Sequence, residues 1–227
     1  DIVAGVSDVV AQADDFDPKT SSFHFRIGMP EYASFSMMDN LMKVLCDQAP
    51  QARLTVVNIT RYDDTEDRLS KDIGLLVGNF RTPSPQFQSV DLFKDDYICL
   101  YKKNCFKGVD ITQDDFLKGS HIRIGMGYDV PSIIDENLLA QGHERENVIT
   151  VPHYILGLKL SAQFGHIFTS PRKLSLSFMN HFDLDYSNYP FSIEKQSVSC
   201  LWHQRTANHK AYMWLKDILV NVFQNMD

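Results

Sequence analysis

The sequence predicts an α/β protein made of two similar lobes. Two observations lead to this prediction. Apolar runs typical of buried strands alternate with amphipathic runs typical of helices, and this alternation occurs twice along the chain. The strands are also apolar nearly throughout, and this favours parallel sheets that are covered by helices.

The first alternation covers residues 23–78. Strands are predicted at residues 23–29, 52–59 and 72–78, and helices at residues 32–48 and 63–70. The C-terminal ends of parallel strands share one edge in right-handed β-α-β units. We therefore expect the segments that follow these strands, residues 30–34, 60–62 and 78–80, to line one edge of the first sheet.

The second alternation follows a long apolar strand, a turn and a short helix, predicted at residues 93–102, 104–110 and 114–119. Its strands are predicted at residues 121–125, 147–151 and 166–169. Its helices are predicted at residues 131–141, 152–164 and 171–180, each opened by a proline, which suits the first turn of a helix. The corresponding edge is then formed by residues 125–128, 151–154 and 169–170.

The remaining segments lie before the first alternation and after the second. Residues 1–13 carry one helical stripe of apolar residues, and residues 14–22, with Pro18, are typical of a linker. Residues 183–190 are expected to be irregular. A last strand is predicted at residues 197–203 and a closing amphipathic helix at residues 209–223.

Composition excludes several classes of function. The chain has 227 residues and a net charge of -7, so the polypeptide itself is not expected to grip nucleic acid. It contains no apolar run of membrane-spanning length and no signal segment, which predicts a cytoplasmic protein with no membrane association. The sequence predicts no metal site and no cofactor, because no Cys/His set has zinc spacing and no phosphate-loop motif occurs.

Catalytic residues are not predicted either. Neither GxSxG nor HExxH occurs in the sequence. The alternative that an enzyme uses Cys105 as a nucleophile beside His121 has only these two residue types in its favour. The four scattered cysteines are interpreted as reduced thiols, with a redox pair of Cys99 and Cys105 as the alternative.

Seven segments follow one another along the chain: FRIGMPEY, ARLTVV, DIGLLVG, LFKDDYICLYKK, IFTSPRKL, SVSCLWHQRT and AYMWLKDIL. This ordered set resembles the effector-binding domain of LysR-type transcriptional regulators. The resemblance extends from Phe16 to Phe223, and an opening formed by Phe16, Asp17, Pro18, Thr20 and Ser21 resembles one subgroup. It implies two Rossmann-like lobes in the type 2 periplasmic-binding-protein arrangement. Residues 1–22 are then the end of a linker helix and a linker, residues 23–96 and 197–227 form lobe one, and residues 97–196 form lobe two.

The resemblance also implies a function. A small-molecule effector would bind in the cleft between the lobes and rearrange a homodimer or homotetramer, and so move an N-terminal winged helix-turn-helix on DNA. That DNA-binding domain is expected to be missing from this chain, so that DNA would be a partner only through it. Dimers would pair residues 34–48 of one chain with residues 154–164 of the other, although Met37, Met38 and Asp39 depart from the family pattern on that helix.

The candidate effector-binding residues are the positions that match the family at the two edges. They are Tyr32, Ala33, Ser34, Thr60, Gly78, Asn79, Phe80, Tyr128, Val130, Pro131, Val151, Pro152, His153 and Tyr154. Hydroxyls and N–H groups at helix starts suit a carboxylate or another acceptor-rich group, and the aromatic rings suit an apolar or ring-shaped body. Plainer interpretations are that the aromatic residues pack the lobes, that Ser34 and Thr60 are caps or turn residues, and that His153 is structural.

Two further alternatives stay open at this point. An exported solute-binding protein shares the fold, although the missing signal segment and the unpaired cysteines disfavour it. The same domain can also act as a thiol or pH sensor through its cysteines or histidines.

Overall fold

Two sheets organise the chain in the computed structural model, which describes residues 16–59, 73–80, 83–106, 110–125 and 131–224. Unit 1 is formed by the residues up to Phe93 and those from Ser197 onward, and unit 2 by Lys94–Gln196. The strands are β1 His24–Met29, β2 Arg53–Asn58, β3 Leu75–Gly78, β4 Phe87–Asp95, β5 Tyr97–Lys102, β6 Ser120–Ile124, β7 Glu146–Val151, β8 Ile167–Pro171, β9 Leu184–Asn188 and β10 Gln196–His203. The α-helices are α1 Glu31–Gln48, α2 Gln113–Lys118, α3 Ile133–Ala140, α4 Tyr154–Phe164, α5 Arg172–Phe178 and α6 Lys210–Phe223.

Unit 1 contains the sheet β2-β1-β3-β10-β4. Strand β1 pairs in parallel with β2 and β3, and β10 runs antiparallel to β3. Helix α1 buries Tyr32, Ala33, Met37, Leu41 and Leu45, at the spacing of one helical face. Helix α6 buries a second apolar face. The predicted alternation of strands and helices in this half of the chain is confirmed, except that residues 1–13 and 63–70, both predicted as helices, lie outside the described residues.

Unit 2 repeats this plan with the sheet β7-β6-β8-β5-β9. Strand β6 is parallel to β7 and β8, and β5 is antiparallel to β8 and β9. Both α2 and α3 begin with a capping box, in which Thr112 and Asp115, or Ser132 and Asp135, bond each other's backbone N–H groups. Each sheet thus mixes parallel and antiparallel pairs beside helices, as an α/β fold of two lobes requires.

Two predictions about local structure are wrong. The long strand predicted at residues 93–102 is two strands, because β4 ends at Asp95 and β5 begins at Tyr97 in the other sheet. Residues 183–190, expected to be irregular, contain the edge strand β9. Its sequence LDYSN lacks an apolar pattern because only Leu184 and Ser187 are buried.

The three helices predicted to open at a proline each begin one or two residues later, and α3 begins at Ile133 after its N-cap residue Ser132. Pro152 was predicted to open a helix, but α4 begins at Tyr154 with His153 as its N-cap. Pro171 is the last residue of β8 and the N-cap of α5, rather than the first helical residue. A fixed proline φ is compatible with both positions. None of the helices in the described ranges has both the length and the apolar character that crossing a bilayer requires.

We predict that Gly74→Ala destabilises the protein, whereas Gly78→Ala does not. A Cβ atom on Gly74 would overlap the ring of Tyr212, which packs directly on this backbone. A Cβ atom on Gly78 would lie 3.5 Å from Phe80 and from Pro30, an ordinary contact distance. Overpacking typically costs about 1–3 kcal/mol, and each kcal/mol lowers Tm by about 2–4 °C in a chain of this size. Thermal melts of the two variants that show equal Tm values would contradict this account of the packing.

Candidate functional site

Helix α1 of unit 1 starts directly at the end of a buried strand. Pro30 separates β1 from α1 and is the N-cap residue, with φ -72° and ψ 162°. Pro30 itself has no side chain that can accept a capping hydrogen bond. The first N–H groups of a helix have no acceptor within the helix, and the positive end of its dipole lies there. The junction therefore directs donor groups toward the end of β1.

The three predicted residues of this junction have different surroundings. Tyr32 and Ala33 are buried, so they pack the core of unit 1. Ser34 is half-buried, and its hydroxyl donates to the carbonyl of Pro30 at 3.1 Å. Because that hydrogen bond uses only the proton of the hydroxyl, the Ser34 oxygen keeps the ability to accept a hydrogen bond. Ser34 is the more accessible of the predicted polar contacts on α1.

The end of β3 lies beside the same junction. Gly78 is buried, and a Cβ atom placed on it would lie 3.5 Å from the rings of both Phe80 and Pro30. Phe80 is half-buried and packs against the apolar cluster that includes Ile59 and Leu76. The structure thus brings Gly78 and Phe80 to the start of α1, with Asn79 half-buried between them. Thr60, the predicted contact after β2, lies outside the described residues.

The corresponding edge of unit 2 includes the start of α4. Val151 is buried at the end of β7, and its carbonyl accepts the N–H of Gly125 at 3.0 Å. Pro152 and His153 are exposed, and Tyr154 is half-buried with its ring 6.2 Å from that of Phe168. The side chain of the N-cap residue His153 does not cap α4. Pro131 is exposed before α3, while Tyr128 and Val130 lie outside the described residues.

A further polar group near this edge was not among the predicted contacts. Ser170 is fully buried in β8, and its hydroxyl has no hydrogen-bond partner among the described residues. A buried hydroxyl without a partner costs about 1–3 kcal/mol. The sequence places Ser170 at this edge of the sheet, because it ends the segment HIFTS. It does not indicate that the Ser170 hydroxyl belongs among the effector contacts.

A buried ion pair holds the start of α3 in place. Arg145 Nε donates to Asp135 Oδ1 at 2.8 Å, and the Ser132 hydroxyl donates to Asp135 Oδ2 at 2.7 Å. Burial raises the pKa of Asp135, but the charge of Arg145 and the hydrogen bonds from Ser132 and Arg145 together lower that pKa below its ordinary value. The carboxylate is therefore ionised at neutral pH. Nothing in the sequence indicates this pair, because ten residues and a turn separate its members.

The cysteines do not form the redox pair considered above. All four are free thiols, with Cys99 and Cys200 buried and Cys46 and Cys105 exposed. Burial raises the pKa of both the Cys99 and the Cys200 thiol to about 12. Since the thiolate is the reactive form, Cys99 is a poor partner for oxidation at neutral pH.

His121 is also poorly suited to act as the general base that the enzyme alternative requires. His121 is fully buried, and its Nε2 forms a hydrogen bond with the carbonyl of Phe116 at 2.7 Å. Burial lowers the pKa of His121 to about 4, helped by the charge of Arg145. Cys105 is exposed, and no hydrogen bond joins it to His121 in the described structure. No group of three potential metal ligands occurs in the part of the chain that the structure describes.

Comparison with known proteins adds a finding about ancestry. Residues 19–224 match the family described as the LysR substrate binding domain. The HTH-type transcriptional activator NagR of a Ralstonia species is 23% identical over 211 residues, which cover 92% of this chain and 70% of NagR.

Solved structures have the same fold. A probable transcriptional regulator from Pseudomonas aeruginosa aligns with a TM-score of 0.87 at 21% identity, covering 97% of this chain and 74% of the other. The effector binding domain of QuiR, solved in complex with shikimate, aligns with a TM-score of 0.76 at 12% identity, covering 90% and 98%. The predicted fold, two lobes of the type 2 periplasmic-binding-protein kind, is confirmed.

We predict that a thiol reagent labels two of the four cysteines in the folded protein. Cys46 and Cys105 are exposed and should react with iodoacetamide near pH 8, whereas the burial of Cys99 and Cys200 protects them. Mass spectrometry of digested protein identifies the labelled sites, and the same reaction in denaturant should label all four. Rapid labelling of Cys99 in the folded protein would restore the thiol-sensor alternative.

Proposed function

Because the chain belongs to the LysR substrate-binding domain family, we propose that it senses a small acidic molecule through the strand ends described above. It is the effector-binding domain of a LysR-type transcriptional regulator. Regulators of this family respond to small-molecule effectors and act on DNA, so the exported solute-binding alternative loses its support. The proposal adds the chemistry of the effector, the residues that contact it and a cytoplasmic location.

The observation that carries the proposal is the start of α1. Its dipole and donor N–H groups favour an anion or another acceptor-rich group, and Ser34 adds a hydroxyl. Phe80 and Asn79 lie beside it and supply an apolar face and an amide. These features suit a carboxylic acid with a ring-shaped or apolar body. The shikimate in the QuiR structure is a ligand of this chemical kind.

Unit 2 offers a second set of contacts with complementary chemistry. The start of α4, with exposed His153 and half-buried Tyr154, presents donors and a ring. The buried Ser170 hydroxyl supplies a polar group that gains a partner if an effector or an ordered water reaches it. Thr60, Tyr128 and Val130 complete the proposed set from the sequence.

Effector binding acts by shifting a conformational equilibrium. A ligand that binds one arrangement of the domain better than another favours that arrangement by its difference in binding free energy. A change from 1:99 to 99:1 needs about 5.5 kcal/mol of such difference. A few charge-assisted hydrogen bonds at helix starts, at about 1.5–3 kcal/mol each, supply a difference of this size.

We further propose a homodimer built from α1 of one chain and α4 of its partner. Both helices cover a core with one face and leave large apolar side chains exposed on another. These are Phe35 and Met42 on α1, and Leu156 and Phe164 on α4, with Phe164 60% exposed. Apolar groups at such positions suit a helix–helix interface between subunits. A homotetramer of such dimers is the alternative assembly.

We predict that a small carboxylic acid stabilises the chain and that Ser34 and Ser170 are needed for this effect. A ligand at 100 times its Kd adds about 2.7 kcal/mol to the free energy of unfolding, a rise in Tm of several degrees. Thermal melts against cyclic and aromatic acids, amino acids and bile-acid-like amphiphiles would identify the class. Ser34→Ala and Ser170→Ala should each reduce the shift by the loss of one hydrogen bond.

The control for this experiment is Ser36→Ala. The Ser36 hydroxyl donates to the Tyr32 carbonyl at 2.8 Å, the same i−4 bond that Ser34 makes one half-turn earlier. Ser36→Ala should therefore keep the full ligand shift. Ser170→Ala should leave Tm unchanged or raise it without ligand, because it removes a buried hydroxyl that has no partner. An unchanged shift in both Ser34→Ala and Ser170→Ala would refute the site.

We predict that the chain runs as a dimer of twice its 26.0 kDa mass in solution. Phe164→Asp or Phe35→Asp should convert it to the monomer, because a carboxylate in an apolar interface loses its hydration. Leu176→Asp is the matched control, since Leu176 is 40% exposed on α5, outside the two helices. Light scattering after size exclusion measures the mass. A monomeric wild-type chain, or dissociation by Leu176→Asp alone, would contradict the proposed interface.

A further inference from the structure

Unit 2 contains a cavity of about 250 Å³ that is distinct from the strand-end edge. It lies beside α3 and near the start of β7, and its lining residues are Arg123, Pro131, Asp135, Leu138, Leu139, Glu144, Arg145 and Asn147. Leu138, Glu144 and Asn147 belong to the end of α3 and the approach to β7, whereas the effector edge follows the C-terminal end of β7. Pro131 is the one residue that this set has in common with the proposed effector contacts.

Arg145 forms the buried wall of the cavity. Its side chain is only 2% exposed, and Asp135 and Ser132 accept hydrogen bonds from its Nε and Nη2 at 2.8 and 3.4 Å. Its Nη1 is buried and has no acceptor among the described residues. The ion pair with Asp135 offsets most of the Arg145 charge, but one donor of this guanidinium remains without a partner at a cavity wall.

Arg123 supplies a second and less neutralised cation. Its Nε donates to the Thr150 hydroxyl at 3.0 Å, and no carboxylate of the described residues lies within ion-pair distance. Arg123 is half-buried as a whole residue, and its hydrogen bond with Thr150 is exposed, so the guanidinium is accessible to a ligand. Guanidinium groups in this state bind carboxylates through paired N–H donors. The cavity therefore has a site for one carboxylate at Arg123.

The other charges of the lining are acceptors. Glu144 is exposed and has no cation within ion-pair distance in the described part of the chain. Asn147 uses its amide nitrogen toward Asp135 Oδ1 at 3.4 Å, which leaves its amide oxygen to accept. These two oxygens suit an ammonium group, which carries three donors. The lining thus offers a cation and two acceptors to one ligand that carries both a carboxylate and an ammonium group.

Leucines form the apolar part of the cavity. Leu138 is buried in the core, whereas Leu139 is 53% exposed although it lines a concave surface. An aliphatic group placed against Leu139 and Pro131 would remove apolar surface from water, at roughly 25 cal/mol per Å². Pockets for drug-sized ligands measure about 300–1,000 Å³, so this cavity is suited to a smaller molecule.

We infer that this cavity is a second ligand site, which binds an aliphatic α-amino acid in its zwitterionic form. The ligand carboxylate contacts Arg123, its ammonium group contacts Glu144 and Asn147, and its side chain lies against Leu139 and Pro131. The inference does not depend on the effector site, because none of its charged contacts belongs to the strand-end edge.

L-Leucine is the probe for the experiment. Isothermal titration of the whole chain should show saturable binding at one site. Arg123→Gln and Glu144→Gln should each raise Kd at least about tenfold, because each removes one charged hydrogen bond. Arg53→Gln and Glu146→Gln, at exposed positions outside the cavity, are the matched controls and should leave Kd unchanged.

Ligand analogues test the two charges separately. We expect 4-methylpentanoate, which lacks the ammonium group, and 3-methylbutylamine, which lacks the carboxylate, to bind at least about tenfold more weakly than L-leucine. Glycine should bind weakly as well, because it lacks the aliphatic group. Methyl NMR spectra should show that unlabelled L-leucine shifts the resonances of Leu138 and Leu139.

Three results would overturn the inference. One is the absence of L-leucine binding at millimolar concentration. Another is an unchanged Kd in both Arg123→Gln and Glu144→Gln. The third is loss of L-leucine binding in Ser34→Ala or Ser170→Ala with Arg123→Gln unaffected, which would assign the amino acid to the effector site and leave the proposed function intact.

Discussion

A buried carboxylate fixes the point at which the chain changes from one sheet to the other. Asp95 is only 3% exposed, and its two oxygens accept the N–H of Lys173 at 3.1 and 3.3 Å. The neighbouring Asp96 carbonyl accepts the N–H of Arg172 at 2.8 Å. Because the N-cap residue Pro171 has no acceptor side chain, Asp95 caps α5 in its place. Burial raises the pKa of Asp95, although the N–H and the charge of Lys173 oppose this rise. The ionised carboxylate therefore loses hydration free energy at this position.

The return crossing is attached to the same place. The hydroxyl of Tyr97, just after the first crossing, donates to the side-chain oxygen of Gln196 at 2.7 Å, and both residues are buried. Lys195 and Asp96 form an exposed ion pair at 3.1 Å beside it. The buried hydrogen bond contributes about 0.5–1.5 kcal/mol and the exposed pair less. The two connections therefore leave unit 2 close to each other.

The burial of Asp95 also explains why the strand predicted at residues 93–102 was wrong. The run LFKDDYICLYK has the apolar pattern of one strand, and nothing in it indicates that Asp95 is buried against a helix 78 residues away. Strand β9 was missed for a different reason: its pairing with β5 is a tertiary property, and an edge strand needs little apolar character. By contrast, the bounds of β1, α1, β2 and β3 could be predicted within a few residues. The strands are visible in the sequence as apolar runs, and the helix as apolar residues at helical spacing.

The predicted effector contacts also divide into residues that are accessible and residues that are buried. Tyr32, Ala33 and Val151 were assigned to the effector edge from their position in the chain, but their side chains are buried. Position along a strand or helix shows which edge a residue occupies, whereas burial depends on neighbours far away in sequence. Ser170 illustrates the converse, since its orphan hydroxyl becomes evident only when all potential partners of β8 are in place.

Capping narrows the choice of effector contacts further. Four helices, α1, α3, α4 and α5, start at or near strand ends in the described structure. Helix α3 is satisfied by the capping box of Ser132 and Asp135, and α5 by Asp95. The N-cap residues of α1 and α4, Pro30 and His153, make no side-chain capping bond of their own. An acceptor-rich effector gains from the helix dipole at such a start, although the Glu31 carboxylate in the first turn of α1 opposes part of this gain. The starts of α1 and α4, where Ser34 and His153 lie, are therefore the places at which we propose that this domain binds an acid.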